Sequence, residues 1–539
     1  MNNMMYVVGS GPSGIACAYT LLKAGYKVTL LDVGFTLKDE SQSLVNRYRK
    51  DRDTAELIKD IHLLRKKHRQ QSDVQPAKTL FGSDFPYKGI DDTFVENDDK
   101  AVIRSSLAKG GFSTVWGANV SCIIPKEMLG WPITFNELKP YYTLLEEIID
   151  IASPKGEMSE IFPVNIGYPP SFPLGKQGND LYESLKPYKD DLADDGLYFG
   201  RAKLAVGSKY SLDNKGCSPC GLCMHGCPNN AIFNSAFLLT QLQKDDNFTY
   251  LPGKLVTRFS EDNGEVEIHI KDIHSSDESI LKGCRLFLAC GVINTTCIVA
   301  RSLNLTDHEF IIKDSQKYVF PLLRWHRSRG CVKEKEHTAD QIYMEIDNPS
   351  VSPNIVHLQY YGYNDLMLEP LRQRLGSITE LVPKLFSGFF ERLMICFVYF
   401  HSDDSGAMSL KVHEYKPGTK GMGEIKGQIN PKSDAIMKSI LRLLKKHRHA
   451  LGGIPLGLGV QTLLPGDSQH IGSTLPMSQS PNAYQTDLLG RPSGCERVHI
   501  VDSSVLPSIP ATPLTLTVMA NACRIADSVD KQTMEGPNV

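Results

Sequence analysis

Tyr6-Val7-Val8-Gly9-Ser10-Gly11-Pro12-Ser13-Gly14 opens on three apolar strand formers and a glycine turn, and residues 15–24 continue as a helix with small side chains on one face. Each glycine has its own task. Gly9 takes the tight turn and Gly11 lets backbone approach a pyrophosphate. Gly14 lets the helix pack on the strand, and Ser10, Pro12 and Ser13 fill the turn that aims the helix N-terminus at phosphate. A second strand at residues 27–31 ends on Asp32, placed to accept hydrogen bonds from an adenosine ribose. Strand, turn, helix, strand and acid in that order predict a dinucleotide-binding βαβ unit; the plainer alternative is a glycine turn that only packs the unit. Spacing alone does not separate FAD from NAD. The N-terminal position and the lack of a second glycine fingerprint favour one tightly held dinucleotide, FAD.

The 539 residues carry 59 Lys+Arg against 61 Asp+Glu, a formal net charge of −2. Such a balance gives no basic footprint for nucleic acid. The length suits several average domains or one two-lobed enzyme. No basic n-region or cleavage site precedes the first strand, so the chain is expected to be unexported and cytoplasmic. The most apolar later stretches, 385–400 and 450–464, are broken by Glu391 and Arg392 in one case and by glycines and prolines in the other. Neither is expected to span a bilayer. Lys445-Lys446-His447-Arg448-His449 reads as the cationic end of a helix over 434–449, with contact to a membrane surface as the lesser alternative. Residues 46–69 read as a solvated covering helix.

Of thirteen cysteines, nine are scattered singly, which suits a reducing compartment. The other four form Cys217-x2-Cys220-x2-Cys223-x3-Cys227-Pro228, the spacing of a bacterial ferredoxin run, in which short turns present thiolates to an iron-sulfur cubane. A 4Fe-4S cluster is therefore the first reading. Four-thiolate zinc is the second, since zinc knuckles usually stand a dozen or more residues apart, and inert thiols are the third. Either Cys227 or a distant thiol completes the cluster. His225 is read as exposed or hydrogen-bonded to sulfur rather than as a ligand.

Ser105-Ser106-Leu107-Ala108-Lys109-Gly110-Gly111-Phe112-Ser113-Thr114-Val115-Trp116-Gly117 resembles the second flavin-contacting segment of the glucose-methanol-choline (GMC) oxidoreductase family, and its Ser-Thr-x-Trp ending is most similar to the sugar-oxidising, pyranose-oxidase branch. Gly130-Trp131-Pro132-Ile133 resembles the family's lead into the following helix. Residues 286–296, with Ala289 and Gly291, resemble the strand and turn that return to FAD. Gly253-Lys254-Leu255-Val256 resembles the strand on the adenine side. His499-Ile500-Val501-Asp502-Ser503-Ser504-Val505-Leu506-Pro507, with Pro513 further on, resembles the C-terminal flavin segment. The resemblance implies an α/β fold: a Rossmann-like FAD-binding domain from 1–35, 100–125, 200–305 and 485–539, with an iron-sulfur loop at 215–235, and a substrate domain with an antiparallel sheet and helices from 36–99, 126–199 and 306–484. It implies flavin contacts from Gly110, Gly111, Ser113, Thr114, Trp116, Val256, Ala289, Gly291, Asp502, Ser503 and Pro513. Independently, residues 319–323, 341–346, 355–361, 393–400 and 408–412 read as strands and residues 366–385 as a helix.

Gln469-His470-Ile471-Gly472-Ser473 is similar to the family's histidine segment facing the flavin, which makes His470 the candidate base for a substrate hydroxyl. The family's second catalytic position, usually His or Asn before a proline, falls on Thr512, which can hydrogen-bond a substrate hydroxyl but cannot act as a base at neutral pH. Val115 stands where pyranose oxidases attach flavin through histidine, so FAD is expected to be held non-covalently. Together these features predict an FAD dehydrogenase that oxidises a CH-OH group, of a sugar or glycoside, and passes electrons through the cluster to a ferredoxin-like protein or a quinone. The alternatives are a ferredoxin-linked reductase of a carbonyl or alkene, and a non-catalytic flavoprotein scaffold with a structural zinc knuckle.

Overall fold

The computed structural model describes residues 4–50, 60, 81, 83–87, 96–168, 172–209, 211, 216–262, 264–334, 336–368, 379, 382–414 and 423–535. Met4–Val8 and Lys27–Leu31, both short apolar runs, pair in parallel with Met5 opposite Val28 and Val7 opposite Leu30. Arg285–Leu288 and Val498–Ile500 extend the sheet on one side and Phe248–Leu251 on the other, all in parallel. Three distant stretches of chain thus build one Rossmann-like sheet, whose strands are buried because helices cover its faces. Pro12–Lys23 begins with proline in its first turn and buries Gly14, Ala16, Cys17 and Ala18. These small side chains let the C-terminal helix Thr515–Glu535 lie close enough for the Cys523 thiol to reach Ala16 O at 3.7 Å.

The second lobe is built on a seven-stranded antiparallel sheet. Gly453–Pro455, Lys317–Arg324, Leu393–Phe400, Val356–Tyr361, Ile342–Ile346 and Leu197–Arg201 lie in that order, with Gln461–Thr462 added beside Lys317–Arg324. Four of the five runs read as strands are here; the fifth, Ala407–Val412, joins Glu309–Asp314 in a separate five-stranded sheet. Because Leu197–Arg201 pairs along Ile342–Ile346, the boundary drawn between residues 199 and 200 falls inside a strand. Strand alternation divides the seven-stranded sheet into two faces. Phe320, Leu322, Leu358, Tyr360, Cys396 and Val398 pack into a core with Ile436, Ile440 and Leu444 of the helix Pro431–Lys446. The odd-numbered neighbours face the other way, toward the Rossmann-like lobe.

Pro431–Lys446 starts where the Asn430 side chain accepts Lys432 N–H and ends on Lys445 and Lys446, as a cationic helix end should. Of residues 46–69, 46–50 close a helix, Asp39–Lys50, and most of the rest lies outside the described residues. The helix expected over 366–385 is seen only at Val382–Leu385, since 369–378 and 380–381 also lie outside them. Among the described residues no helix is long and apolar enough to cross a membrane. All thirteen cysteines are free thiols.

Candidate active site

A cavity of about 590 Å³ runs between the C-terminal ends of the parallel strands and the odd face of the seven-stranded sheet. At one end stand Gly9, Ser10, Gly11, Pro12, Ser13 and Asp32. Sterics distinguish the three glycines. A Cβ on Gly9, whose φ is +97°, would meet Ala289 O at 2.4 Å, and one on Gly14 would meet Gly9 O at 2.0 Å, whereas one on Gly11 would meet nothing within 4 Å. Gly9 and Gly14 serve protein packing, and Gly11 keeps the cavity side clear. Gly14 itself does not line the cavity. The Ser10 hydroxyl accepts Gly110 N–H at 2.8 Å and donates to Asp32, so it ties the first turn to the second glycine segment. Tyr250 also donates to Asp32, at 3.3 Å. Burial pushes the Asp32 carboxyl up to about 7 against the pull of Ser10, Tyr250 and the Lys109 ammonium.

Gly111, Ser113, Trp116, Val256, Ala289, Gly291, Asp502, Ser503 and Pro513 all reach the cavity. Gly110 and Thr114 stand behind it: Gly110 through the Ser10 bond, Thr114 through a 2.9 Å bond to Gly111 O. Trp116 is fixed by its indole N–H on Phe233 O at 2.7 Å. Asp502 accepts Gly291 N–H at 3.0 Å and the Thr295 hydroxyl at 2.5 Å, joining the C-terminal segment to the start of the helix Val292–Ser302. The N-termini of that helix, of Pro12–Lys23 and of Thr515–Glu535 all border the cavity. Three positive dipole ends there favour bound negative charge.

His470 lies on the cavity wall, its ring stacked on Tyr399 with centroids 5.1 Å apart. Gln469 and Ser473 hold φ of +63° and +67°, an arrangement non-glycine residues adopt at a cost, and it bends the segment around the histidine. Nδ1 of His470 is buried without a hydrogen-bond partner. Burial, then Lys317 and His357, push the imidazole down to about 3, so it is neutral near pH 7. Facing it are side chains that composition and motif did not single out: Arg104, Asn119, Lys317, Gln359, Tyr361 and Asp467. Asp467 pairs with Arg104 at 3.2 Å and Lys317 at 3.7 Å. Asn119 Nδ2 donates to Gln359 Oε1 and to the Tyr361 hydroxyl, each at 3.0 Å. Gln359 Nε2 lies 3.0 Å from His357 Nε2, and His357 Nδ1 lies 2.6 Å from the buried Glu345. Gln359, Tyr361 and Tyr399 were legible as odd positions of predicted strands, the polar members of an alternating pattern, whereas Lys317 stands two residues before the run predicted at 319–323.

Thr512 does not reach the cavity as the resemblance implied. Its hydroxyl donates to Glu127 Oε2 at 2.6 Å, and Ala511 and Thr512 N–H groups donate to Oε1 at 2.7 and 3.2 Å. The physical reason is Glu127, a fully enclosed carboxyl that burial pushes up to about 7 and that needs these donors. The expectation of a Thr512 contact with substrate is therefore corrected: the hydroxyl is committed to the protein, and only its neighbour Pro513 reaches the cavity.

Cys217, Cys220, Cys223 and Cys227 line one small second cavity walled by Phe172, Val206, Ile232 and Pro228. Burial, then Cys223, Cys227 and Cys220, push the Cys217 thiol up to about 12, so the four sulfurs sense one another. His225 is buried and does not border that cavity. Among the described residues no three His, Cys, Asp or Glu side chains converge closely enough to hold a single metal ion.

Residues 7–36 match the model of an NAD(P)-binding Rossmann-like domain, and residues 460–522, which carry His470, Asp502 and Pro513, match the GMC oxidoreductase model. Residues 460–522 are thus similar to the C-terminal domain of GMC oxidoreductases. The fold of the chain is also that of two solved oxidases. Pyridoxine 4-oxidase from Mesorbium loti aligns over 99% of this chain and 100% of its own at a TM-score of 0.61 and 11% identity. An R554A variant of formate oxidase from Aspergillus oryzae RIB40 aligns over 99% of both chains, at 0.61 and 12%. Comparison with curated protein sequences finds no match. The cavity fits the FAD expected from that similarity: Gly11 leaves the approach to the turn open, the helix N-termini would suit the pyrophosphate, and Asp32 would suit the ribose.

Asp32 is expected to make FAD binding pH-dependent. A buried acid with a raised pKa favours the neutral form, so its contribution to apoprotein stability is present below about 4 and is lost as pH rises through about 7. Ribose hydroxyls donate to the ionised form. FAD affinity of the apoprotein should therefore climb by up to about tenfold per unit toward pH 7 and level off above it. Flavin-fluorescence titrations from acid to alkaline pH test this; an equally steep profile in Asp32→Asn would assign the effect elsewhere.

Proposed function

We propose that this protein is an FAD-dependent dehydrogenase of the GMC oxidoreductase type for a hydroxylated small molecule of the sugar or glycoside class, linked through a 4Fe-4S cluster on Cys217, Cys220, Cys223 and Cys227 to an external one-electron acceptor. The observation that carries the catalytic part is the neutral imidazole of His470 on the cavity wall, within the stretch 460–522 that is similar to GMC oxidoreductases. When bound, FAD supplies a two-electron acceptor and the cluster a one-electron carrier. His470 takes the hydroxyl proton of the substrate. Asn119, Gln359 and Tyr361 offer amide and hydroxyl groups that suit a polyhydroxylated ring, and the Arg104–Asp467–Lys317 group holds in place the segment that leads into His470. Val115, having no nucleophile, fits non-covalent FAD.

Two features support the cluster. The four thiols share one apolar-walled cavity, and in a cubane each binds a different iron, so the sulfurs need not meet at a single point. The cysteine run also packs against the flavin-side segment: a Cβ on Gly226 would lie 3.4 Å from Thr114 O and 3.8 Å from Val115. That contact favours electron transfer between the two sites. Anaerobic purification with flavin, iron, sulfide and zinc quantitation, followed by addition of sugars and glycosides, tests the proposal. It expects about four irons and four sulfides per flavin and bleaching of the flavin by a sugar. One zinc without sulfide would leave the scaffold reading in its place, and flavin that no sugar or alcohol bleaches would overturn the catalytic one.

A further inference from the structure

The sheet face that lines the cavity continues beyond it. From Lys317 in the cavity wall the odd positions pass through half-buried Val319, Pro321 and Leu323 to exposed Trp325, while the adjacent strand passes from Phe397 through Ile395 to Leu393. This row ends in an exposed apolar surface. Ile454 pairs with Leu323, and Leu458 beyond it is fully exposed. On the other flank Leu385, Phe386 and Phe389 are 75%, 61% and 49% exposed. With Trp325 these are six of the fourteen exposed large apolar side chains among the described residues, gathered on one surface rather than scattered. Trp325 N–H on Gly452 O and Ser328 N–H on Glu391 O, each at 2.9 Å, hold the segments side by side.

Cations ring this surface. Arg392 follows Glu391, and its carbonyl accepts Arg324 N–H at 2.8 Å; Arg448 O accepts Gly453 N–H at 3.1 Å. A Cβ on Gly457 would lie 4.0 Å from Lys445 Nζ, and one on Gly388 would lie 3.2 Å from the Arg327 guanidinium. Arg392, Arg448, Lys445 and Arg327 are all exposed. The carboxylate in their midst, Glu391, is buried and engaged by Arg327 at 2.7 Å and Gly330 N–H at 2.7 Å, so Arg327 is ion-paired and the positive charge of the rim comes from Arg392, Arg448 and Lys445.

We propose that this surface docks on an anionic lipid bilayer. Leucine and aromatic side chains enter the boundary between headgroups and acyl chains, and the surrounding cations meet lipid phosphates and carboxylates. Charge complementarity selects this occupant, because an exposed apolar patch ringed by Arg and Lys is suited to a surface that is itself apolar within and negative at its rim. The row from Lys317 to Trp325 would then connect the docked surface with the cavity wall.

Co-sedimentation of the purified flavin-containing protein with phosphatidylcholine vesicles, with and without phosphatidylserine, tests the proposal. Binding should require phosphatidylserine and weaken as salt is raised. The Phe386→Asp/Phe389→Asp and Lys445→Glu/Arg448→Glu pairs should each lower the partition coefficient by roughly tenfold or more while keeping the flavin spectrum. Absence of wild-type binding to phosphatidylserine vesicles overturns the proposal, as does equal binding by both pairs of variants. Sedimentation velocity separates the main rival: a wild-type dimer that becomes monomeric in the Phe386→Asp/Phe389→Asp protein would make this face a contact between copies instead.

Discussion

Replacing His470 with alanine should lower kcat by about 10²- to 10⁴-fold, the usual contribution of a positioned acid or base, while FAD stays bound. The ring makes no side-chain hydrogen bond through Nδ1, so its removal orphans no partner there, and the main structural loss is its stack on Tyr399. Anaerobic stopped-flow bleaching of the flavin by an accepted substrate reads the effect. Retained flavin with a loss smaller than tenfold would mean that the base is elsewhere. The pH profile supplies a second readout. A solvent-exposed histidine would give an acid limb near 6.5. Burial pushes His470 down to about 3; its neutral form persists above that value and is lost only as pH falls through it. The profile of kcat should therefore show no limb near 6.5 that disappears with the histidine.

Gly14→Ala and Gly11→Ala should separate folding from cofactor binding at the same turn. At Gly14 the added carbon would stand 2.0 Å from Gly9 O, a backbone atom that cannot swing aside, so strand and helix must part. Overpacking of a full core commonly costs about 1–3 kcal/mol and a clash this close to backbone belongs at or above the top of that range. Thermal unfolding of Gly14→Ala should fall steeply, with insoluble or flavin-free protein as the extreme outcome. At Gly11 nothing lies within 4 Å, and the helix N-cap there has φ of −61°, which alanine adopts freely. Gly11→Ala should keep its folding midpoint and lose FAD affinity by about tenfold or more, because the methyl group enters the space meant for the pyrophosphate. Equal destabilisation by both substitutions would refute the assignment of separate tasks.

The local parts of the site were legible because the chemistry is local. Gly9, Gly11, Gly14 and Asp32 lie within one βαβ unit, whose strand and helix follow from short-range patterning. His470 and the flavin segments could be located by resemblance because each is a contiguous run. The opposite wall was not legible in the same way. Asn119, Arg104, Asp467 and Gln359 come from four stretches of chain, and only strand pairing and packing of the two lobes bring them to one cavity. Thr512 shows the limit of transferring a position by motif: the residue is where the segment puts it, yet the distant carboxyl of Glu127 claims its hydroxyl.

By itself the sequence determined the dinucleotide turn and the strands of the second lobe, since backbone sterics and period-two burial act between near neighbours in the chain; the discontinuous Rossmann-like sheet and His470 were legible only through the resemblance to GMC oxidoreductases. Tertiary structure alone decided which polar groups face His470, that Thr512 is turned away, that four cysteines share one pocket beside the flavin segment, and that six apolar side chains meet on one surface. Those outcomes depend on which distant side chains compete for the same buried space and the same hydrogen bonds, and that competition is settled only when the lobes close on one another.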